Sequence, residues 1–226
     1  MAPVEPFDRN AALQKALMAL AENCARLRET CYWAGASAIA LEELHHRGSF
    51  DLDFHTQKAL ADVRPILAEI HQAFPGGFEL VSAPDAFGSG FKGILRLPGQ
   101  EGVTVEVLSN FEDVPSTQLV QSETAPKIRR ITLQRFLADK LQCIAERSEA
   151  RDLIDVAAIL RHQPQLTSEA KRIVKSLDAL ILAERLTGWS EASIREDLSA
   201  YRDVDAGDAL YARDLLLGWL REEGQP

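Results

Sequence analysis

Cysteine is scarce in this chain. Cys24, Cys31 and Cys143 are an odd number, with no CxxC spacing and no Cys/His pairing, so neither a disulfide framework nor a zinc site is indicated and reduced thiols are the expectation. No apolar run approaches the length of a membrane span, and the opening residues MAPVEPFDRN carry neither a basic nor an apolar leader pattern. The expectation is a cytoplasmic protein with no membrane partner. Positive charge is also in short supply: 25 Lys+Arg stand against 34 Asp+Glu, for a formal net charge of −9. That balance argues against a protein that coats nucleic acid, because phosphate contacts dominate such binding. There is no internal repeat and no low-complexity tract.

What remains is an ordinary globular composition over 226 residues, 46% hydrophobic and 26% charged, enough for one large domain or two small ones. Charge is unevenly placed. Residues 1–126 hold 9 basic against 17 acidic residues, 127–162 hold 8 against 5, and 163–226 hold 8 against 12, so the only basic segment lies in the middle.

Leu13, Leu17, Leu20 and Cys24 recur at helical spacing and predict a helix over 10–29. A short buried strand over 32–34 ends at Gly35, helical composition returns over 36–44, and 51–55 reads as a strand. Leu60, Val63, Leu67 and Ile70 predict a second helix over 57–74, closed by Pro75-Gly76-Gly77. Strands are expected over 78–82, 90–97 and 103–108, with 98–102 as a hairpin-type connection. Residues 109–126 read as an irregular loop, and helices follow over 132–147, 151–162, 168–186, 190–201 and 206–223. The expected fold is α+β: a small mixed α/β unit over 1–126, then an α-helical unit over 127–226.

Several residues stand out chemically. Asp51 and Asp53 lie two apart in an otherwise apolar strand, so both point to one face while Leu52 and Phe54 point to a core. Like charges so placed repel unless a cation sits between them; a solvated strand face is the plainer alternative. By alternation Glu106 faces away from Val103, Val105 and Val107, and three carboxylates on adjacent strands would suit two Mg2+ ions about 3.5–4 Å apart. Gly35 followed by Ala36-Ser37 ends a strand and opens a helix, which serves either as a tight turn or as a phosphate-binding turn with the Ser37 hydroxyl. Lys140 lies inside the apolar stripe of Leu133, Phe136, Leu137, Leu141 and Ile144, so it must snorkel to solvent or reach a buried anion. Asp152 and Asp155, behind Arg151, are either helix caps or carboxylates turned towards Lys140 or a substrate hydroxyl. His45 and His46 read as surface or turn residues, and Arg47 as either a triphosphate contact or a solvated charge.

The order of these pieces is itself a signature. GASAIALEELHHRGSFDLDFHT resembles the G-G-T-A-L…H-R-x-S-x-D-L-D-F-F-T stretch of the AbiEii/AbiGii toxin nucleotidyltransferases, and KLQCIAERSEARDLIDVAAIL resembles that family's K-x-x-A…R…R-D-x-x-D-x-x-x-L segment. The resemblance spans about Gly35 to Leu160. It implies a polymerase-β-like nucleotidyltransferase core, with a mixed sheet and flanking helices, and a helical domain that completes the active-site cleft. It implies Mg2+-dependent transfer of a nucleoside monophosphate from a nucleoside triphosphate to an acceptor such as tRNA, while the acidic net charge keeps a protein acceptor as an alternative. It also implies a toxin of a toxin–antitoxin or phage-defence pair, with a cognate antitoxin. Carried over by position, Gly35 and Ser37 hold the triphosphate, Asp51 and Asp53 bind metal, Lys140 contacts phosphate and Asp152 is a catalytic carboxylate; outside the carry-over, Arg47 stands as a candidate nucleotide contact and Glu106, by alternation, as a candidate third metal ligand. The chain departs from the family pattern at Ala36, in place of a second glycine, and at Glu106, in place of Asp; the alternative these favour is a catalytically impaired nucleotide-binding module of the same fold.

Overall fold

A computed structural model describes residues 9–201 and 204–223. The described residues open with α1 (Arg9–Asn23) and α2 (Ala25–Thr30). The periodicity predicts one helix here; the break falls at Cys24, whose backbone is extended (φ −117°, ψ 93°). Strand β1 (Cys31–Ala34) leads into α3 (Gly35–Ile39), which runs on as a π-helical turn over Ala40–Leu44.

Strand β2 spans Asp51–Ala59 and so takes residues the pattern assigns to a helix. Leu60 then turns the chain at φ 51°, and α4 (Arg64–Ala73) starts only where Pro65 can sit in its first turn. Strands β3 (Phe78–Ser82), β4 (Gly90–Leu95) and β5 (Val103–Asn110) follow as expected. Two further strands, β6 (Leu119–Gln121) and β7 (Arg129–Ile131), lie where a loop and the start of the helical region were expected. Three residues are too few to show a period of two, and these strands exist because β7 pairs with β1 and β6 with β7.

Helices α5 (Leu133–Glu146), α6 (Ala150–His162), α7 (Thr167–Ser176), α8 (Ala179–Gly188), α9 (Glu191–Leu198) and α10 (Ala206–Glu223) complete the described chain. The single helix expected over 168–186 divides at Asp178, whose carboxylate accepts the N–H groups of Leu180 and Ile181 as an N-cap.

The chain forms two compact units. One holds Gly48–Thr132 with the chain up to Glu43; the other holds Leu44–Arg47 with the chain from Leu133 onward. The first is built on a mixed seven-stranded sheet of order β3-β4-β5-β2-β1-β7-β6. In register across four strands, Trp33, Phe54, Val107 and Phe91 stand side by side, all buried. The next row across the same strands is Ala34, Asp53, Glu106 and Lys92. One residue of offset turns the sheet from its apolar face to a polar one. In the second unit, Leu137, Leu141 and Ile144 of α5 are buried, as are Leu153, Val156 and Ile159 of α6 and Leu216 of α10, and α6 packs against both α5 and α10. No helix among the described residues is long and apolar enough to cross a membrane.

Candidate active site

On the sheet, the side chains of β2 alternate as the sequence predicts. Leu52 and Phe54 are fully buried, while Asp51 and Asp53 are half-buried on the other face. The parallel pairing of β2 with β5 sets Asp53 beside Glu106 and Asp51 beside Thr104. Ser49, itself buried, lies with its hydroxyl 3.5 Å from Asp51 Oδ1.

Gly35 follows Ala34, the residue paired with Asp53. Its backbone has φ +69°, and a Cβ built there would lie 2.1 Å from Asp53 Oδ2. The glycine therefore serves two needs at once: a left-handed turn out of β1, and room for the Asp53 carboxylate against the backbone. Ser37 is fully buried, and its Oγ accepts the Trp33 Nε1–H at 2.9 Å, tying α3 to β1.

Glu106 lies 3.6 Å from Lys92 of β4, in an ion pair with both side chains partly exposed. Among the described residues no three Asp, Glu, His or Cys side chains converge as a ready metal cage. Asp51 and Asp53 still fit a divalent cation by chemistry. Mg2+ takes hard carboxylate oxygens and is usually held by one or two of them, the remaining positions going to water and substrate phosphate. Two same-face carboxylates against a glycine turn are such a donor set.

The second group of sequence-selected residues lies in the helical unit. Lys140 is buried at 6% exposure and does not snorkel; its ammonium lies 2.6 Å from Asp152 Oδ1 and 2.9 Å from Asp155 Oδ2. Neither aspartate caps α6, since both are fully buried and the N-cap residue Glu149 makes no side-chain cap. Arg147 grips Asp152 through Nε at 2.9 Å and Nη2 at 3.1 Å. Arg47 grips Asp155 in the same two-pronged way, Nε at 2.6 Å and Nη2 at 2.9 Å, and His46 Nε2 lies 2.7 Å from the same carboxylate. Arg47 is thus neither solvated nor free, and His46 is not the surface residue that its neighbourhood suggests.

Asp155 is the hub of this cluster, and its spacing hid the fact. It borders the apolar face of α6 rather than lying within it, and its partners His46 and Arg47 are more than a hundred residues away in sequence. The only available signal was that Lys140, one charge in an apolar stripe, needs buried anions. Burial by itself pushes the Asp155 carboxyl up, but the charges of Lys140 and Arg47, with hydrogen bonds from Arg47 and His46, hold it well below the usual carboxylate range. Burial likewise opposes the Lys140 cation, and the two aspartates more than reverse it, raising the ammonium above its ordinary value. Asp155, Lys140, Arg47 and Arg147 are each shifted towards their charged form.

The model of the family described as "Nucleotidyl transferase AbiEii toxin, Type IV TA system" matches residues 18–214. The chain belongs to this family. It is a nucleotidyltransferase of the toxin class, and the resemblance carried by the glycine turn, the DLD strand and the later Lys/Asp segment is upheld. Among solved structures the fold is similar to that of JHP933 from Helicobacter pylori, with a TM-score of 0.61 and 20% identity over 97% of each chain. It is also similar to MenT4, a nucleotidyltransferase toxin from Mycobacterium tuberculosis, with a TM-score of 0.61 and 16% identity over 94% of this chain and 82% of that one. At these identities the likeness is one of fold. No curated protein matches the sequence significantly.

Proposed function

We propose that this AbiEii-family enzyme transfers a nucleoside monophosphate from a nucleoside triphosphate to an acceptor hydroxyl, with Mg2+ held at Asp51 and Asp53. The observation that carries this reading is the fit of the Asp53 carboxylate against Gly35, where an added Cβ would lie 2.1 Å from Oδ2. A bound divalent cation would supply neutralisation of triphosphate charge and activation of the attacking hydroxyl. Asp51 and Asp53 would bind it, with Glu106 free to join if it exchanges Lys92. The turn at Gly35 and the amides opening α3 would receive phosphate, with Ser37 fixing that turn through Trp33. Lys140 and Arg47 would contact phosphate, and Asp152 act as the catalytic carboxylate, only on exchanging the partners that now hold them buried.

The acceptor we favour is the end of an RNA such as tRNA, with a cognate antitoxin as the protein's regulator. The Lys92–Glu106 pair and Ala36 favour a second reading, in which the site binds nucleotide but turns over poorly. Purified protein incubated with Mg2+ and each of the four labelled triphosphates, in the presence of cellular RNA and of cellular protein, tests both. Label is expected in RNA, and Asp51→Asn with Asp53→Asn is expected to abolish it while the fold stays intact. Label in protein alone would move the acceptor. Mg2+-dependent binding without any label would establish the impaired module, and no binding at all would sink both readings.

A further inference from the structure

In the row that crosses the sheet from Ala34, neighbouring positions carry charge: Asp53 on β2, Glu106 on β5 and Lys92 on β4. Ser82 of β3 ends the row. Asp53 and Glu106 are register partners on parallel strands, so their side chains leave the same face from backbones about 4.8 Å apart. Two carboxylates so placed repel one another. The carboxylate of Glu106 is engaged on the other side instead. Its Oε2 lies 3.6 Å from the Lys92 ammonium, and among the described residues it does not converge with Asp51 and Asp53 as a metal cage.

The surroundings leave this task to Lys92. On the polar face of β4 it stands between Gly90 and Ile94, and Glu106 on β5 stands between Thr104 and Leu108, none of which carries charge. Arg96, the next basic residue along the chain, is paired with Glu79. By formal charge Asp51, Asp53 and Glu106 bring −3 and Lys92 brings +1, which leaves −2, matched by one divalent cation. The side chains of Lys92 and Glu106 are 40% and 31% exposed, so water competes for both ends of the pair and exchange is easy. A glutamate also has one more rotatable bond than an aspartate, and its carboxylate can swing from the β4 side to the β2 side while the strand stays in place.

We infer that Lys92 is a positioning residue for the divalent site: its ammonium keeps Glu106 in reserve, so that without nucleotide one cation is held by Asp51 and Asp53 with Glu106 outside its coordination. This role rests on the reading of Asp51 and Asp53 as the metal-binding pair, and adds the residue that sets how many carboxylates the cation meets. Taking the ammonium away frees Glu106 to turn towards Asp53, and a third hard oxygen donor tightens the hold on the cation.

Mn2+ is the probe, with the free ion measured by electron paramagnetic resonance in the presence of the full chain and no nucleotide. The wild type should bind one Mn2+, and Asp51→Asn with Asp53→Asn should lose it. Glu106→Gln should change the dissociation constant by less than about twofold while Lys92 is present. Lys92→Met should tighten binding by roughly fivefold or more, and Glu106→Gln in that background should remove the gain. Lys92→Arg, which keeps the cation, should behave as the wild type. Lys58→Met, which removes a cation at the far end of β2, should leave affinity unchanged because its charge is screened at that distance.

A weakening by Glu106→Gln that is equal with and without Lys92 would overturn the inference, since Glu106 would then be a standing ligand or a bystander charge. So would wild-type affinity in Lys92→Met. Mn2+ binding that survives Asp51→Asn with Asp53→Asn, or its absence from the wild type, would remove the metal-pair reading and the role of Lys92 with it. Should Lys92→Met fail to keep the wild-type melting curve, Lys92→Gln serves, with the same gain expected and no gain refuting the role.

Discussion

A methyl group at position 35 would sit 2.1 Å from Asp53 Oδ2 on a backbone already at φ +69°, so Gly35→Ala meets two penalties of different kinds. The backbone conformation costs alanine about 1–2 kcal/mol, and the carboxylate has to move by an ångström or so to admit the methyl. A displacement of that size at a reacting centre costs on the order of 100-fold in rate. Gly35→Ala is therefore expected to remain folded, with a melting temperature lowered by several degrees, and to lose nearly all nucleotide transfer; full transfer would show that Asp53 does not need its present position. The three cysteines make a simpler case. Burial pushes the Cys24 and Cys31 thiols up to about 12 and raises Cys143 as well. At pH 8 a thiol reagent should find at most the half-buried Cys143 in the native protein and all three after unfolding. Rapid native reaction of two or three thiols would contradict the burial of Cys24 and Cys31.

At the scale of elements, two tethers matter. The Trp33–Ser37 hydrogen bond at 2.9 Å joins β1 to α3 across the glycine turn. Ser37→Ala leaves the indole N–H buried without an acceptor, which costs about 1–3 kcal/mol. Thermal melting should register that loss, and transfer assays should show a raised KM for triphosphate if the turn it fixes is the phosphate site. The second tether joins α5, α6 and the segment Leu44–Arg47 through Asp155. Asp155→Ala leaves Arg47 and Lys140 short of a carboxylate in a buried setting, and breaking a buried pair from one side costs about 3–5 kcal/mol. A urea midpoint close to wild type would show that the cluster is not what holds these elements together.

For the whole molecule, the same cluster sets how stability follows pH. The folded-state pKa of Asp155 is depressed, so its contribution is present above the unfolded value of about 3.9 and is lost as pH falls through the folded value. That of Lys140 is raised, so its contribution is present below about 10.4 and is lost as pH climbs through the folded value. Urea midpoints should therefore hold a plateau between about pH 4 and 10 and fall on both sides, and Asp155→Asn should flatten the acid limb; an unchanged acid limb would assign it to other carboxylates, such as Glu42.

Much of this was legible in the sequence because it is local. The alternation of Asp51, Leu52, Asp53 and Phe54 needs only the period of a strand to place two carboxylates on one face and two apolar groups in a core. Val103, Val105 and Val107 place Glu106 in the same way. Lys140 inside the stripe of α5 reduces to a snorkelling cation or a buried anion from helical spacing alone, and its contacts with Asp152 and Asp155 decide for the anion. The ordered motifs bring in the family. What the sequence could not supply was distance between remote parts of the chain. That Asp155 binds His46 and Arg47, that Gly35 makes room for Asp53, and that β6 and β7 exist at all depend on which strands and helices become neighbours, and tertiary packing settles that. Short strands carry too few residues to show a period, and a charge at the border of an apolar face looks solvated until its partners are in place. The sequence alone thus determined the chemistry of the DLD strand. Only the folded chain decided that its second aspartate rests against a glycine, because a contact of that kind belongs to the pairing of β1 with β2 and to neither strand by itself.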